Sequence, residues 1–453
     1  MNNIEKRFLV SADIKRWLEK HSVTFEKTEQ FYSASHEASY YLRVLPESYT
    51  QVYVDNEEKE IHTEVSEEVY FSERKEHIGR KLLKNIYTTH IGKETYRIYE
   101  YLKKLKGLYI LVASFDDEKA VRSSKNLETL QALVLKEIDK DEKYANRALA
   151  LYVKPMEYNL DKFFEKIDAF ESANLFFWQV PRRIYVRDGV VLVLYKNLRL
   201  LHHYKVNFQG KHFSATLHRL RVIMRRTATM MDTFSELFNP NVKRFCVEML
   251  LRYHEETKVL RYLYFLEELC STKEDAKLSL YSELKTLIEN EEKEVTQMLL
   301  SRPFVQLIQI MTRELYEEGY GKYKSLRSEV KIVVGKKLTT FEEQLAQTKE
   351  GVSEEMLVTL YHSMDALQTL LEDFFHIIGE KETQMLVDEI NILLKPLREY
   401  RNCKERAGIL QAIKAQSQNS ILEIEPLLCE HEQELKEKIE RALQLLRTSK
   451  FYV

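Results

Sequence analysis

The sequence predicts an α+β protein in two parts, strand-dominated up to about residue 150 and all-helical from about residue 155 onward. Short runs alternating apolar and polar side chains, the period-2 mark of strands, are confined to the first part. Beyond it, apolar residues recur every three or four positions, and only 11 Gly and 7 Pro punctuate the whole chain. That scarcity favours long helices over turn-rich sheet. A length of 453 residues also exceeds one ordinary core, at about 150 residues per domain.

In chain order, Ile4 to Val10 reads as a strand, and Ser11 with Asp13 opens a helix through Trp17 to His21. Strands follow at Ser39 to Leu45, Thr50 to Asp55, Glu60 to Glu64, Glu94 to Tyr101 and Leu108 to Phe115. Within Glu60 to Glu64, alternation places Glu60, His62 and Glu64 on one face. Helical spacing then covers Asp117 to Ser124 and Asn126 to Ile138. From Thr216, the series Leu217, Leu220, Met224, Met231, Phe234 and Phe238 makes one apolar seam, with His218, Arg221, Arg225 and Thr229 on the adjacent face. Further helices are predicted at 241–271, 275–300, 303–319, 323–348, 354–378, 381–401, 403–415 and 420–447. Long helices joined by short polar loops make bundles. A weak repeat, Leu217-His218 leading to Phe234–Phe238 and Tyr361-His362 leading to Asp373-Phe-Phe375, implies two related ones.

Charge is polarised. The window Pro181 to Arg226 holds eleven Lys/Arg, four His and one acid, Asp188, leaving 58 of the 69 basic and 70 of the 71 acidic residues elsewhere. A net charge of −2 therefore conceals a cationic segment suited to a polyanion such as nucleic acid, anionic lipid or a phosphate chain. Arg221 and Arg225 stack four residues apart with His218 one turn earlier and Arg226 beside them, a rail of guanidinium forks suited to phosphate oxygens. A second group, Lys322, Lys324, Arg327, Lys331, Lys336 and Lys337, encloses only Glu329 and would share a groove with the first if the repeats pack face to face. A third, Arg398, Arg401, Lys404 and Arg406, is interleaved with Glu399 and Glu405 and reads as ordinary surface.

Other chemistry finds no footing. Gly319-Tyr-Gly-Lys-Tyr-Lys-Ser is not a phosphate loop, and no dinucleotide fingerprint, zinc-protease or serine-hydrolase motif occurs. Cys246, Cys270, Cys403 and Cys429 form no CxxC pair and are expected as buried free thiols. The start lacks a leader-like apolar segment, and the longest apolar runs, Val190 to Tyr195 and Tyr109 to Ala113, fall far short of the roughly 20 residues that span a bilayer. The expected location is the cytoplasm, with no membrane partner.

Leu217-His218-Arg219-Leu-Arg221-Val-Ile-Met-Arg225-Arg226 resembles the CHAD domain signature, His-x-x-Arg-Val-x-x-Arg-Arg, over about residues 185 to 450, and Ser301-Arg-Pro-Phe304 also fits that family. The resemblance implies a pair of pseudo-symmetric four-helix bundles, about 185–320 and 323–450, that bind inorganic polyphosphate through a basic surface. It implies binding roles for His218, Arg221, Arg225, Arg226, Lys196, Arg199, Arg252, Arg261, Lys324, Arg327, Lys331 and His362, a place beside polyphosphate granules, and no required cofactor. Arg261-Tyr-Leu-Tyr-Phe265 keeps the arginine of the family's Arg-Asp-x-Asp-Val element without its acids, and Asp365 stands where the second repeat would carry an arginine.

Residues 1 to about 150 resemble the CYTH domain, an antiparallel triphosphate tunnel or barrel with flanking helices. Asn3-Ile-Glu5-Lys-Arg7-Phe is similar to its Glu-x-Glu-x-Lys-Phe start, and Lys84 and Arg43 keep family cations, whereas Ile86 and Leu45 replace arginines. Val112 and Ser114 stand where a Glu-x-Glu pair would hold metal, and Tyr99 stands at an aspartate position. The resemblance thus implies a non-catalytic tunnel with weak anion binding through Arg7, Arg43 and Lys84. Two alternatives remain open. One is a Mg²⁺- or Mn²⁺-dependent inorganic triphosphatase using Glu5, Glu60 and Glu64, since hard cations take oxygen ligands. The other is a nucleic-acid-binding protein.

Overall fold

A computed structural model describes residues 4–33, 39–44, 48–54, 60–152, 154–208, 213–271, 279–317, 323–347, 353–416, 436–437 and 439–440. Asn3, Leu45, Lys322, Cys429 and most of the helix predicted at 420–447 lie outside the described residues, as do the side chains of Cys270, Cys403 and Arg406. The chain divides into two compact units, Met1–Glu157 and Tyr158–Val453.

The first unit is an antiparallel sheet with short helices. Its elements are β1 (Ile4–Val10), α1 (Ile14–Leu18), β2 (Thr24–Ser33), β3 (Ser39–Val44), β4 (Ser48–Val54), β5 (Glu60–Glu64), α2 (Glu67–Glu73), β6 (His77–Ile91), β7 (Glu94–Tyr101), β8 (Tyr109–Phe115), α3 (Glu118–Ser123), α4 (Lys125–Leu130), β9 (Val134–Glu137) and α5 (Asn146–Leu151). The strand order is β5-β4-β3-β2-β6-β7-β8-β1-β9, so the ladder ends at β5 and β9 without closing into a ring. Alternation sorts the apolar side chains. Phe8, Val10, Tyr96, Ile98, Leu111 and Ala113 pack with Ile14 and Leu18 of α1 on one face. Tyr32, Leu82, Tyr101, Ile110 and Val112 form a core on the other, with Leu149 and Ala150 of α5.

Three strands were not foreseen. β2 carries Glu26, Lys27, Glu29 and Gln30, weak strand formers in isolation, and β6 is interrupted by Gly79, Lys81, Lys84 and Asn85, but each strand is flanked by two antiparallel partners that satisfy its backbone. Val134 to Glu137, expected at the end of a helix, instead pairs with β1 at Phe8 to Val10. Ser124 explains where helix gives way: its side chain accepts from the Leu127 amide and restarts the chain as α4.

The second unit is helical: α6 (Asp161–Asp168), α7 (Val186–Asn207), α8 (Phe213–Thr233), α9 (Pro240–Glu256), α10 (Lys258–Ser271), α11 (Ser279–Leu300), α12 (Arg302–Tyr316), α13 (Leu326–Gln347), α14 (Glu354–Asp373), α15 (Phe375–Ile378) and α16 (Glu380–Gln416). One continuous apolar core runs through it. Caps mark the starts as sequence physics dictates: Asn239 before Pro240, Ser301 before Arg302-Pro303, and Ser353 before α14 each accept backbone amides. The repeat is visible in element lengths, since α7 and α13 both span 22 residues and each leads into a second long helix. Their starts pair with one another: Tyr185 bridges Ser325, Val186 N donates to Lys324 O at 2.8 Å, and Leu326 N donates to Ile184 O at 3.1 Å. Gly189 permits this approach, because a Cβ there would stand 2.6 Å from a Leu326 methyl.

Three predictions shift. The helix expected over 241–271 breaks at Thr257 and that over 354–378 at Phe374, whereas those expected at 381–401 and 403–415 are one helix that passes through Pro396. Among the described residues no helix is long and apolar enough to cross a membrane.

Gly79, in β6, has φ +68°, and a Cβ there would stand 2.5 Å from the Ala150 carbonyl oxygen of α5. Substituting Ala combines a left-handed backbone with a backbone clash, and Gly79→Ala should lower the stability of the sheet unit by about 2 kcal/mol or more. Urea unfolding resolved by hydrogen exchange over β6 and α5 checks this, and a difference within about 0.5 kcal/mol of wild type would refute it.

Candidate functional site

The helical unit holds a cleft of about 260 Å³ framed by α8, the end of α9, α10, α14 and α16. From α8 come His218, Arg221, Arg225 and Arg226, and the 3–4 spacing of these residues puts them along one side. His254 closes α9, Arg261 lies on α10, and Arg398 and Arg401 lie on α16. The lining thus carries six arginines against two carboxylates, Asp365 and Glu372, both from α14. Both repeats contribute.

Each guanidinium is held differently. Arg221 is buried at the break between α9 and α10, where it donates to the His254 carbonyl and, at 2.8 Å, to the Thr257 hydroxyl. A cation at a helix C-terminus is favoured by the carbonyl ends there. Arg225 donates to the Tyr361 hydroxyl at 2.7 Å and pairs with Asp365 at 2.9 Å. Arg226 pairs with Glu372 at 2.7 Å and Asp373 at 3.2 Å. Arg261 donates to Ser214 at 3.1 Å, Arg398 donates to Gln368 at 2.9 Å, and Arg401 lies 4.2 Å above the Tyr361 ring. The Nε–H groups of Arg225, Arg398 and Arg401 are buried and donate to no protein acceptor. These three lining arginines therefore keep hydrogen-bonding capacity unspent within the cleft wall, with the Glu405 carboxylate 3.8 Å from the Arg401 Nε.

Electrostatics follow from this crowding. Burial lowers the Arg221 pKa to about 10, and burial also lowers Arg261 and Arg401. His254 is pushed to about 2, first by burial and then by Arg221, Arg225 and Arg401. His218, at the solvent-open mouth, falls to about 4 by desolvation and the fields of Arg261, Arg221 and Arg225. Both imidazoles are neutral near pH 7, so the lining carries four positive charges in excess.

The sequence-predicted residues divide accordingly. His218, Arg221, Arg225, Arg226 and Arg261 line the cleft. His362 does not line it, although the neighbouring Tyr361 does. Lys196 is buried against Asp373 at 3.0 Å, Arg199 pairs with Asp168 at 3.1 Å, and Arg252 pairs with Glu256 at 2.7 Å. Lys324 pairs with Glu329 at 3.5 Å, while Arg327 and Lys331 are exposed. The predicted groove between the first two basic groups is corrected here. In α13 the stripe Leu326, Val330 and Val334 faces the core, which turns the cations of that helix outward. The third group takes that place: Arg398 and Arg401 sit three apart on α16 and face the cleft, while Glu399 between them is exposed. His254 gave no signal in the sequence, whereas Tyr361 and Asp365 are marked there by the repeat, one as the counterpart of Leu217 and the other at the place of an arginine.

In the sheet unit the predicted set separates. Lys84 is buried, donates to Gln30 at 3.3 Å and lies 4.9 Å from the Tyr99 ring. Desolvation, then the field of Arg7, lowers its pKa to about 8. Arg7 donates to the Tyr144 carbonyl at 3.3 Å. Arg43 is opposite Glu29 in the β2–β3 register whereas Lys84 is opposite Thr28, so Arg43 and Lys84 occupy opposite faces of the sheet. Arg43 stacks instead on Tyr49 and Phe71. The carboxylates named for a metal do not assemble either. Glu5 meets Arg97 at 3.4 Å and Ser114 at 3.2 Å, Glu60 meets Tyr40 at 2.8 Å and His62 at 3.3 Å, and Glu64 is exposed on edge strand β5. Among the described residues no three His, Cys, Asp or Glu side chains gather as a metal site, and these residues do not fit a divalent cation.

No protein-family profile and no curated protein sequence matches the chain. Among solved structures, a CHAD domain from the plant Ricinus communis is similar to this chain, with a TM-score of 0.50 and 16% identity over 61% of this chain and 97% of that one. The helical unit has the CHAD fold. An inorganic triphosphatase is also similar, at a TM-score of 0.28 and 17% identity over 34% of this chain and 98% of that one.

The neutral histidines make a pH signature. An imidazole unprotonated in the fold but protonated near its ordinary 6.5 when unfolded gives the unfolded state more protons below that pH. Stability of the helical unit should therefore decline as pH falls from about 6.5, and His254→Asn should flatten the decline. Urea titrations near pH 7 and near pH 5 measure it, and identical slopes in the two proteins would contradict the burial of a neutral His254.

Proposed function

We propose that the helical unit binds inorganic polyphosphate in the cleft between the repeats, with the sheet unit as a non-catalytic scaffold or accessory anion site. The observation that carries this reading is the convergence of six arginines from both repeats on one cleft against two lining carboxylates. Planar guanidinium forks match phosphate oxygens, and cations spread over several helices suit a chain of phosphates better than a single one. The sequence resemblance to a polyphosphate-binding family points the same way. Binding requires no cofactor, and a cytoplasmic place beside polyphosphate granules goes with it.

The triphosphatase alternative finds no support in the sheet unit, where Glu5, Glu60 and Glu64 are apart and separately engaged. Hydrolysis of triphosphate with Mg²⁺ or Mn²⁺ should not exceed that of Glu5→Gln. Activity clearly above that control would restore the alternative.

Arg221 is a poor choice for testing binding, since it also ties the end of α9. Arg398→Gln with Arg401→Gln leaves that tie alone and should weaken polyphosphate binding at least about tenfold, reducing the salt slope of affinity by about one for each phosphate no longer neutralised. Titration calorimetry at two salt concentrations reads both quantities, and unchanged affinity would defeat the site. An anion beside His218 raises its pKa from about 4, so affinity should also strengthen as pH falls from about 6 toward about 4. Competition by duplex or single-stranded DNA at lower concentration than polyphosphate would shift the reading to nucleic acid.

A further inference from the structure

The carboxylate of Asp365 belongs to the wall of this cationic cleft. It lies on α14, 4% exposed, with Oδ1 at 2.9 Å from Arg225 on α8 and 3.4 Å from Arg398 on α16. It therefore bridges the two sides of the cleft from the third. Its neighbours are cationic: Arg401 feels its field, and no other carboxylate of the lining pairs with Arg225 or Arg398 among the described residues. Glu372, the other lining acid, is different. Its side chain is 42% exposed and it meets Arg226 at the rim.

A buried acid in this position is an internal competitor for any anion. The ligand must draw Arg225 and Arg398 away from a carboxylate that is covalently tethered, and a tethered group competes at an effective concentration of about millimolar or more. A short phosphate meets that competition with few contacts of its own. A long chain does not, because phosphates already held by Arg401, Arg261 and Arg226 make the next contact intramolecular as well. Both then compete on equal terms.

We infer that Asp365 is a chain-length filter, a residue that sets the cleft's selectivity for long over short phosphate chains by occupying Arg225 and Arg398 until enough neighbouring contacts displace it. This rests on the reading of the cleft as a polyphosphate site. Asp365 is a specificity determinant here and holds no phosphate itself.

The test compares tripolyphosphate with a long polyphosphate on the full chain, in wild type and in Asp365→Asn, which keeps the side-chain shape and removes the charge. Tripolyphosphate affinity should rise at least about tenfold and long-chain affinity by less than about threefold, so that the ratio between them shrinks. Glu372→Gln should leave the ratio unchanged, because its exposed pair is screened. An equal gain for both chains, or no gain for tripolyphosphate, overturns the filter.

Footprinting of the wild-type protein by arginine modification and mass spectrometry supplies a second reading should the variant fold poorly. Long chains should protect Arg398 while tripolyphosphate at equal phosphate concentration leaves it reactive, and equal protection overturns the proposal. Wild type that binds neither chain defeats the polyphosphate reading itself. Wild type that binds both, with Asp365→Asn unchanged, defeats the filter alone.

Discussion

Asp373 is buried at the end of α14, and its Oδ1 accepts from Lys196 on α7 at 3.0 Å and from Arg226 on α8 at 3.2 Å. Burial alone would raise its pKa, but Arg226 and Lys196 outweigh that and hold it below the usual carboxylate range. Removing one member of such a group leaves a buried charge uncompensated, at a cost of about 3–5 kcal/mol. The consequence is geometric. This pairing fastens the last turn of the second repeat's α14 to both opening helices of the first repeat, so that Tyr361 and Asp365, earlier on α14, come to lie against Arg225. The cleft exists because of that fastening.

The charge it encloses is itself a constraint. At an effective dielectric constant of about 20, two unit charges about 6 Å apart repel by about 3 kcal/mol, and six guanidiniums in one cleft experience several such repulsions. The fold offsets them locally with Asp365 and Glu372, and spreads the rest onto neutral acceptors: the His254 carbonyl, the Thr257 and Tyr361 hydroxyls and Gln368. The two histidines add no charge, because burial and the arginines keep them neutral. A ligand that neutralises the arginines therefore also changes what the histidines can bind.

Sequence periodicity was enough to separate strand from helix at the unit scale, and the α8 rail follows directly from the spacing of His218, Arg221 and Arg225. What it could not supply was which second basic group faces that rail. Lys324, Arg327 and Lys331 formed the purer cationic run, yet the apolar stripe of α13 turns them to solvent. Arg398 and Arg401 looked like ordinary surface because Glu399 stands between them. On a helix adjacent residues point about 100° apart, so an intervening acid says nothing about the face its neighbours share. The missed strands have the same origin. β2 and β6 owe their state to partners on both sides, and the pairing they make with each other joins residues far apart in sequence. Arg43 parts from Arg7 and Lys84 for a still simpler reason: period 2 assigns faces only within a strand, and relating strands requires the register.

The two units use the same kinds of residue to opposite effect. In the sheet, Lys84 and Glu5 have found partners, Gln30 for one and Arg97 and Ser114 for the other, beside a core of tyrosine and aliphatic side chains. Around the helical cleft, the Nε–H groups of Arg225, Arg398 and Arg401 are buried without a hydrogen-bond acceptor, with Glu405 standing 3.8 Å from the last. Each buried donor without an acceptor costs about 1–3 kcal/mol, and the like charges around it add to that. A cleft arranged for stability alone would have filled these positions with apolar side chains or placed an acid opposite each arginine. The excess of donors over acceptors is the opposite choice, and it concentrates where helices of both repeats meet around open volume. An anion carrying several oxygens would relieve the repulsion among these arginines, which ties the stability of this unit to the occupancy of its cleft.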